Sequence, residues 1–251
     1  MFRYHAGKKV ELTRAGELLR NSALTFKHDE IYLMRMLQDT AKNTRNFAFG
    51  ATLSVAEFML PPDLERLICA YPQSHIRMEV GNTRELLSKL DAGELDFAVV
   101  EGEFPREEYE FLLYRKEPYV PVASRKKAEQ YRNAEFRELL SERLILREPG
   151  SGTREILERE LRRRGMTTDD FSQITELGNI GAIQAMLRAN LGISFFYQAT
   201  LTDRETQLAP IELKDFSLEH EVMFIFRKNS SFREDYEEIY AFLTNRENSQ
   251  N

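Results

Sequence analysis

The sequence predicts an α/β fold, because short apolar strands alternate with helices along most of the chain. The clearest unit covers residues 144–161, where an apolar segment leads into the turn Gly150-Ser151-Gly152-Thr153 and then into a helix-periodic stretch. The near-continuous apolar run Leu95–Val100 is typical of a central parallel strand covered on both faces. Strands, turns and helices in this order indicate a mostly parallel sheet.

The glycine-rich turn at residues 150–153 is also the first candidate binding site. Glycine allows a tight corner, and the first N–H groups of a helix have no partner within the helix. Because these groups lie at the positive end of the helix dipole, the turn can hold an anion or a carbonyl oxygen. The alternative is that Ser151 or Thr153 only caps the helix and that the glycines only form the corner.

Composition limits the classes of function. The 251 residues, 42% hydrophobic and 30% charged, suit one large or two modest globular domains. A net charge of −6 argues against whole-chain affinity for nucleic acid or an acidic membrane surface. No apolar run is long enough to span a membrane and no secretory signal is visible, so we expect a cytoplasmic protein. Cys69 is the single cysteine, which excludes an internal disulfide, and its neighbours predict a half-buried helix position.

The N-terminal part predicts a short strand and a long helix. Val10–Leu12 alternates as a strand and forms half of a hairpin without its partner strand. Thr13 can cap the helix that follows, which continues to a polar link at residues 43–46. Apolar side chains recur along this helix at helical spacings, at Leu19, Phe26, Leu33 and Leu37. We predict an arm that pairs with a second copy of the chain; the alternative is a long helix laid over its own globular body.

Two strand and helix units follow the polar link. Phe47–Ala51 is predicted as a strand, and Ser54 with Glu57 forms a capping box for the next helix. Pro61-Pro62 restarts that helix at its first turn. A second strand covers residues 76–80 and leads into a helix through residues 86–90.

The second half of the chain predicts the same alternation. The predicted elements are an edge strand with a crossing between lobes at Tyr109–Ala123, a helix around Glu129–Leu140, strands at Ile174–Leu177 and Gly192–Phe196, a second crossing at His220–Phe226 and a helix at Phe232–Leu243. Residues 79–82 and 176–179 are near copies placed between a strand and a helix, which favours two similarly wound lobes.

The polar corners between strands and helices predict a ligand site. In open α/β sheets, ligands bind outside the carboxyl ends of the strands. The corners at Thr52, at Asn82 and Thr83, at Ser151–Thr153 and at Asn179 all lie at such ends. Two lobes joined by two crossings would form a cleft that closes on a small molecule by hinge motion. We expect that ligand to be small, polar and partly anionic.

The residues do not support an enzyme. A serine nucleophile requires a paired histidine, and the four histidines, His5, His28, His75 and His220, show no such spacing. No histidine pair has the spacing of a metal-binding helix either. We therefore predict no enzymatic activity, no metal and no cofactor.

Several segments resemble LysR-type transcriptional regulators. Segments similar to the end of that family's winged helix-turn-helix domain and the start of its linker helix are Phe2-Arg3, Val10–Thr13, Ala15-Gly16 and Leu18-Leu19. Segments similar to its effector-binding domain are Phe49–Thr52, Leu60–Leu64, Gly93–Asp96, Val99–Gly102, Arg147–Arg154, Gly178-Asn179 and Leu191–Ser194. The resemblance implies a two-lobed, type 2 periplasmic-binding-protein-like effector domain preceded by a long linker helix. It also implies a homodimer or homotetramer, a small polar or anionic effector, and DNA as the partner of the full-length regulator.

The resemblance also implies domain boundaries and site residues. Residues 1–12 would be a remnant of the wing, 13–46 the linker and dimerisation helix, 47–245 the effector-binding domain and 246–251 a tail. Lobe I would cover about 47–120 and 224–245, and lobe II about 121–223. The implied effector-binding residues are Thr52, Ser54, Asn82, Thr83, Glu101, Ser151, Gly152, Thr153 and Asn179. Tyr197 is a further candidate because it lies at the end of a predicted strand and not because of the resemblance.

We expect the residues of this sequence to make only weak contacts with DNA. The family's DNA-reading helices precede its wing, and this sequence starts at the wing, so we do not expect base-specific readout from it. Arg3, Lys8 and Lys9 are predicted to touch backbone phosphates. The alternative function is a cytoplasmic solute-binding or sensing protein without DNA binding, which a monomer would favour.

Overall fold

The computed structural model describes residues 2–4, 10–42, 44–201 and 205–245, with the side chains of residues 2–4 and 10 left outside this description. The strands are β1 (Phe2–Tyr4), β2 (Val10–Leu12), β3 (Phe47–Ala51), β4 (Ile76–Val80), β5 (Phe97–Val100), β6 (Tyr109–Ser124), β7 (Arg143–Leu146), β8 (Gln173–Glu176), β9 (Ser194–Tyr197), β10 (Leu208–Pro210) and β11 (Glu219–Arg227). The helices are α1 (Arg14–Lys42), α2 (Pro61–Ala70), α3 (Thr83–Ala92), α4 (Arg125–Gln130), α5 (Gly152–Arg163), α6 (Ile180–Arg188) and α7 (Arg233–Thr244).

The chain divides into two compact units. Unit 1 comprises Met1–Thr52, Leu60–Tyr114 and Met223–Asn251, and unit 2 comprises Leu53–Met59 and Arg115–Val222. The chain passes from one unit to the other within β6 and within β11. The short segment Leu53–Met59 belongs to unit 2, although it lies within the predicted lobe I at about 47–120.

The sheet of unit 1 is built around β3 and β5. β3 pairs in parallel with β4 on one side and with β5 on the other, and β11 pairs antiparallel with β5. Every residue of β3 and β5 is buried. Leu86 and Leu90 of α3 pack against this sheet with Leu95 and Val100. The central buried strand that was predicted at Leu95–Val100 is therefore confirmed for Phe97–Val100, although it is parallel to β3 only and antiparallel to β11.

Unit 2 contains a parallel pair and a longer strand with two antiparallel neighbours. β7 pairs in parallel with β8, and Leu144 bridges to Ile193 in parallel. In β6, Val122 is opposite Pro210 of β10 and also opposite Ser194 of β9. The strand is therefore paired on both sides, and the predicted edge position is wrong. Proline is tolerated at position 121 although it has no N–H group to donate, because Pro121 contributes its carbonyl oxygen, which accepts from Ile211 N at 2.8 Å.

The helix predicted around Glu129–Leu140 is interrupted. α4 ends at Gln130, and a separate 3-10 helix covers Phe136–Ser141. Between them Asn133 has a φ of 60°, a left-handed conformation that asparagine tolerates and that ends a helix. The 3-10 helix starts where Phe136 N donates to Asp215 Oδ1 at 2.8 Å.

The N-terminal strand has a partner. β1 pairs antiparallel with β2, with Phe2 opposite Leu12 and Tyr4 opposite Val10. The prediction that Val10–Leu12 had lost its hairpin partner is therefore wrong. The pattern was missed because a three-residue strand is too short to show periodicity.

The long helix α1 lies on unit 1 along one face and exposes another. Its predicted cap is confirmed, since Gly16 N donates to Thr13 Oγ1 at 3.2 Å. The face against unit 1 is polar: Thr25 Oγ1 donates to Lys228 O at 3.1 Å, and His28 Nε2 lies 3.0 Å from Leu95 O. This face of α1 therefore fits the alternative prediction, a long helix laid over its own globular body. The predicted seam is nevertheless exposed, at Leu19, Phe26, Leu33 and Leu37.

Cys69 lies on α2 and is exposed, so the predicted half-buried position is wrong. Leu67 points into the core, with 1% of its surface exposed, whereas Ile68 is exposed, like Cys69. Residues two positions apart on a helix point in different directions. The apolar neighbours of Cys69 were therefore a poor guide to its burial.

Candidate effector-binding residues

Three of the predicted residues, Thr52, Thr83 and Glu101, follow the carboxyl ends of β3, β4 and β5 in unit 1. Thr52 N donates to Val99 O at 3.2 Å, which places Thr52 beside the end of β5. The Thr83 side chain packs against Gly102, where a Cβ atom would lie 2.2 Å from Thr83 Oγ1. Thr83 is thereby brought next to Glu101, which is 4% exposed. The Oγ1 atom of Thr52 is buried and has no hydrogen-bond partner among the described residues.

Ser54 does not cap a helix, so its predicted capping box with Glu57 is wrong. A capping residue needs a non-helical backbone just outside the helix. Ser54 instead lies within a helical segment that begins at Leu53 and continues as the π-helical turn Val55–Met59. Ser54 is 1% exposed, and its Oγ makes no hydrogen bond within the described chain. π-helical turns are frequent at functional sites.

Asn82 and Asn179 both cap helices through their side chains. Asn82 Oδ1 accepts from Glu85 N at 3.0 Å, and Glu85 Oε2 accepts from Asn82 N at 3.0 Å, which is a complete capping box. Asn179 Oδ1 accepts from Ala182 N at 2.9 Å. Each side chain therefore has a structural task that leaves its amide nitrogen for a ligand. The Asn-x-x-Glu spacing at residues 82–85 could have shown this from the sequence.

The turn before α5 is not explained by capping. Gly150 has a φ of 86°, which requires glycine at this corner. Ser151 occupies the N-cap position, yet its side chain makes no capping hydrogen bond. Its Oγ lies 2.9 Å from Thr153 Oγ1 instead, with the two residues 7% and 1% exposed. The structure thus pairs two buried hydroxyl groups at the N-terminus of a twelve-residue helix whose first N–H groups, including that of Gly152, have no intrahelical acceptor.

Two arginines near this turn are already neutralised. Arg147 donates to Glu148 through Nε at 2.8 Å and Nη2 at 2.7 Å. Arg154 pairs with Glu158 and with Glu176, each at 2.7 Å. Burial raises the pKa of Glu148, but hydrogen bonds and the charges of Arg147 and Arg154 outweigh it and lower that pKa. Attraction for an anion would therefore come from hydroxyl and backbone N–H donors rather than from an unpaired cation.

Tyr197 lies in the core of unit 2. Its exposed fraction is 0%, and its hydroxyl lies 3.2 Å from His220 Nδ1. Its ring packs edge-on against Tyr119 at 5.7 Å between centroids. Tyr119 in turn donates from its hydroxyl to Thr153 O at 2.7 Å. Tyr197 is therefore connected to the turn through Tyr119, a residue that the sequence analysis did not select.

The remaining predicted sites lie at the N-terminus. Arg3 is in β1, with its side chain outside the description, and Lys8 and Lys9 lie outside the described residues. Within the described ranges, no cluster of histidine, cysteine, aspartate or glutamate could hold a metal ion. None of the described helices is both long and apolar enough to cross a membrane.

Comparison with known proteins identifies relatives for most of the chain. Residues 41–247 match the family model described as LysR substrate binding domain. The chain is 25% identical over 204 residues to the HTH-type transcriptional regulator CysL of Bacillus subtilis, covering 78% of this chain and 64% of CysL. It is also 25% identical over 227 residues to the HTH-type transcriptional activator CmpR of a Synechocystis species, covering 89% and 73%. The chain spans about two thirds of the length of such relatives, which are named as regulators and not as enzymes.

Solved structures share the fold. The OxyR2 regulatory domain from Vibrio vulnificus matches with a TM-score of 0.68 at 19% identity, covering 80% of this chain and 95% of that one. The CcmR regulatory domain from Synechocystis, in complex with 2-PG, matches with a TM-score of 0.68 at 22% identity, covering 81% and 99%. The effector-binding domain of QuiR in complex with shikimate matches with a TM-score of 0.67 at 13% identity, covering 80% and 96%.

These likenesses confirm the predicted fold class, a type 2 periplasmic-binding-protein-like effector domain preceded by a long helix. The family model matches well over half of the chain and begins close to the end of α1. The chain therefore belongs to the LysR substrate-binding domain family.

Proposed function

We propose that this chain is the effector-binding and oligomerisation part of a LysR-type DNA-binding transcriptional regulator. The family and the regulatory relatives support this role. The effector is a small polar or anionic molecule, in keeping with similar structures that hold 2-PG and shikimate. The chain itself is not an enzyme, and the regulator acts in the cytoplasm as a homodimer or homotetramer.

The observation that carries this proposal is the buried hydroxyl pair of Ser151 and Thr153 before α5. Two hydroxyls that bond to each other share one donor between them, so the pair retains a second O–H group and several lone pairs for a ligand. The N–H groups of Gly152 and Thr153 add donors at the positive end of the helix. This arrangement suits a carboxylate, phosphate or carbonyl oxygen.

The remaining effector-binding residues are proposed to be Thr52, Ser54, Asn82, Thr83, Glu101, Asn179 and Tyr197. Thr52 and Ser54 support this most, because each presents a buried hydroxyl that no described residue uses. Asn82 and Asn179 offer only their amide nitrogens, since their oxygens cap helices. Tyr197 would act through the packing of Tyr119 against it. The cleft between lobes stays a prediction.

DNA is proposed as the partner of the full-length regulator. Arg3, Lys8 and Lys9 would contact phosphates, which adds affinity without sequence specificity. Oligomerisation would use the exposed apolar residues Leu19, Phe26, Leu33 and Leu37 of α1.

The proposed site is tested by thermal melting of the purified chain against a library of small organic acids and amino acids. A ligand that binds the folded chain must raise the melting temperature. For such a ligand, Thr153→Val should weaken affinity at least tenfold, since it removes one hydroxyl of the pair while keeping the shape of the side chain. Binding is measured by calorimetry.

The matched control is Thr200→Val. Thr200 is also a buried threonine of unit 2, 2% exposed, but its hydroxyl donates to Tyr197 O at 2.8 Å. Removing this hydroxyl should lower the melting temperature, because its hydrogen bond is lost, and should leave ligand affinity unchanged. Equal affinity of the wild type and Thr153→Val, or equal losses in both variants, would show that the hydroxyl pair does not bind the effector.

A further inference from the structure

A pocket of about 220 Å³ lies within unit 1 where α1 ends and the chain enters β3. Its walls come from the last turns of α1, the link at residues 44–46, the start of β3 and α7. Apolar side chains, among them Met36 and Ile239, and several charged groups line it together. The turn at residues 150–153 belongs to unit 2, so this pocket is distinct from the effector-binding turn.

Both arginines of the pocket are already paired. Arg35 forms a bidentate ion pair with Asp96, with Nη1 2.9 Å from Oδ2 and Nη2 2.8 Å from Oδ1. Arg45 donates from Nη1 to Glu238 Oε1 at 3.0 Å. Each guanidinium therefore balances one of the four lining carboxylates.

The other two carboxylates have no cationic partner among the described residues. Asp39, 8% exposed, accepts only the neutral donors of Asn46, its backbone N at 2.9 Å and its Nδ2 at 2.6 Å. Asp235 makes no hydrogen bond or ion pair with any described residue. Burial raises the pKa of Asp235. The positive charge of Arg45 lowers this pKa, whereas the negative charges of Glu238 and Glu234 raise it. Counted by formal charge, the pocket lining thus has two more carboxylates than guanidinium groups.

Tyr32 adds a polar group that the fold does not use. It is 8% exposed, and its ring is held between Phe232 at 4.9 Å and Tyr236 at 5.2 Å between centroids. Its hydroxyl has no hydrogen-bond partner in the described chain, although the residue lines the pocket. Burial, with the charges of Asp96 and Asp235, raises the pKa of Tyr32, so this hydroxyl stays protonated near neutral pH.

We propose that this pocket binds a small organic amine, with its ammonium group on Asp235 and Asp39, a hydrogen bond to the Tyr32 hydroxyl, and its carbon chain against Met36 and Ile239. An ammonium group supplies up to three donors and the positive charge that the two carboxylates lack. A diamine places one charge for each carboxylate. This inference does not rest on the proposed effector site.

The pocket also connects two elements of unit 1. Tyr32 and Asp39 are on α1, whereas Asp235 is on α7. A bound amine therefore ties the C-terminal half of α1 to the body of the unit. By linkage, the amine stabilises the arrangement in which α1 is docked.

The test uses the full chain and 1,4-diaminobutane as the probe, with binding followed by calorimetry and by the melting temperature at pH 7. The neutral control of equal length is 1,4-butanediol, and potassium chloride matches the ionic strength. Diaminobutane should bind saturably with one molecule per chain and raise the melting temperature, whereas the diol should do neither. Asp235→Asn should weaken the binding at least tenfold.

Glu234→Gln is the matched control variant, because it makes the same charge change one residue earlier on α7, at an exposed position outside the pocket. It should weaken diaminobutane binding far less than Asp235→Asn does, because Glu234 acts on Asp235 only through its charge and does not line the pocket. Asp235→Asn should fold, because a raised carboxylate pKa means that the charged form is disfavoured in the folded chain. Its melting temperature at pH 7 should equal or exceed that of the wild type.

Three outcomes would overturn the amine site: no saturable binding of diaminobutane to the wild type, equal affinity of the wild type and Asp235→Asn, or equal weakening by Asp235→Asn and Glu234→Gln. The last result would mean diffuse attraction to an acidic surface. All three leave the effector experiment on Thr153 unaffected, so the two proposals fail separately.

Discussion

Buried hydroxyl groups in this protein differ in whether the fold uses them. Thr25 and Thr52 are both 4% exposed threonines of unit 1. Thr25 Oγ1 donates to Lys228 O at 3.1 Å and lies 3.4 Å from Arg227 Nη2. Thr52 Oγ1 has no hydrogen-bond partner in the described chain. Since an unsatisfied buried hydroxyl costs free energy, its persistence at a strand end points to a ligand.

Replacing each threonine by valine separates these roles. Thr25→Val should lower the free energy of unfolding by about 1 kcal/mol, because a used hydrogen bond is lost. Thr52→Val should leave it unchanged or raise it, and should weaken binding of any effector found by thermal melting. Urea denaturation and calorimetry provide the two readouts. A destabilised Thr52→Val with normal effector affinity would make this hydroxyl structural.

For individual residues, the sequence predicted positions along the fold better than it predicted hydrogen-bond partners. The corner residues Thr83, Glu101 and Ser151 lie at strand ends, as the alternation of strands and helices predicted. The capping role was assigned to the wrong side chain, however. Ser54 and Asn82 both have glutamate three residues later, and only the backbone, helical at Ser54 and extended at Asn82, distinguishes them. One residue's shift of a helix start cannot be resolved by spacing alone.

The helix α1 is attached to unit 1 by polar contacts on one face. Asp29 accepts from Ser230 Oγ at 2.6 Å and from Ser231 N at 2.7 Å. Arg227, 0% exposed, donates to Asn21 O at 3.1 Å and to Asp91 Oδ1 at 2.7 Å. Hydrophobic periodicity reports only apolar faces, so the sequence revealed the exposed seam and not this docked face.

The Asp29 contacts give α1 docking a pH dependence. Burial raises the pKa of Asp29, but hydrogen bonds with His28, Ser230 and Ser231 outweigh it, so the pKa is lowered. A carboxylate with a lowered pKa stabilises the folded chain above its unfolded pKa of about 3.8. That stabilisation is lost as the pH falls through the folded value.

Asp29→Asn should therefore destabilise the chain by about 2 kcal/mol at pH 7. Each carboxylate oxygen of Asp29 accepts one hydrogen bond from Ser230 or Ser231, and in asparagine an NH₂ group, which donates, replaces one of these oxygens. The difference from the wild type should shrink as the pH falls and vanish below the folded pKa. Glu30→Gln, at the exposed neighbouring position, should have no effect at any pH. Urea denaturation at pH 7, 5 and 3 measures this. A difference that stays constant with pH would exclude the carboxylate charge as its cause.

At the scale of the whole molecule, the fold class and most elements followed from the sequence, because alternation and strand-end glycines are local signals. The order of strands in the sheets did not. Val122, for example, pairs with Pro210 on one side and with Ser194 on the other, and both are distant from it in sequence. No local pattern encodes such pairing.

The two interpretations of α1, a dimer arm and a helix laid on its own body, are compatible in one chain. The docked face is centred on Thr25, His28 and Tyr32, and a separate apolar stripe is solvent-exposed. Phe26, at 73%, is the most exposed of the four seam residues. Large exposed apolar patches on folded proteins mark interaction surfaces. The stripe is therefore an interaction surface, and a second copy of this chain remains the predicted partner.

Phe26→Glu should convert an assembly into monomers, because burying an uncompensated carboxylate at a helix seam costs several kcal/mol. Sedimentation velocity should give the wild type at least twice the chain mass of 29.4 kDa and the variant the single-chain mass. Lys27→Glu is the control, since that residue is exposed about 100° around the helix from Phe26. It should keep the wild-type mass. A wild-type monomer, or an assembly that survives Phe26→Glu, would mean that the exposed seam of α1 does not hold two copies together. Only the monomer would also favour a solute-sensing role without DNA binding.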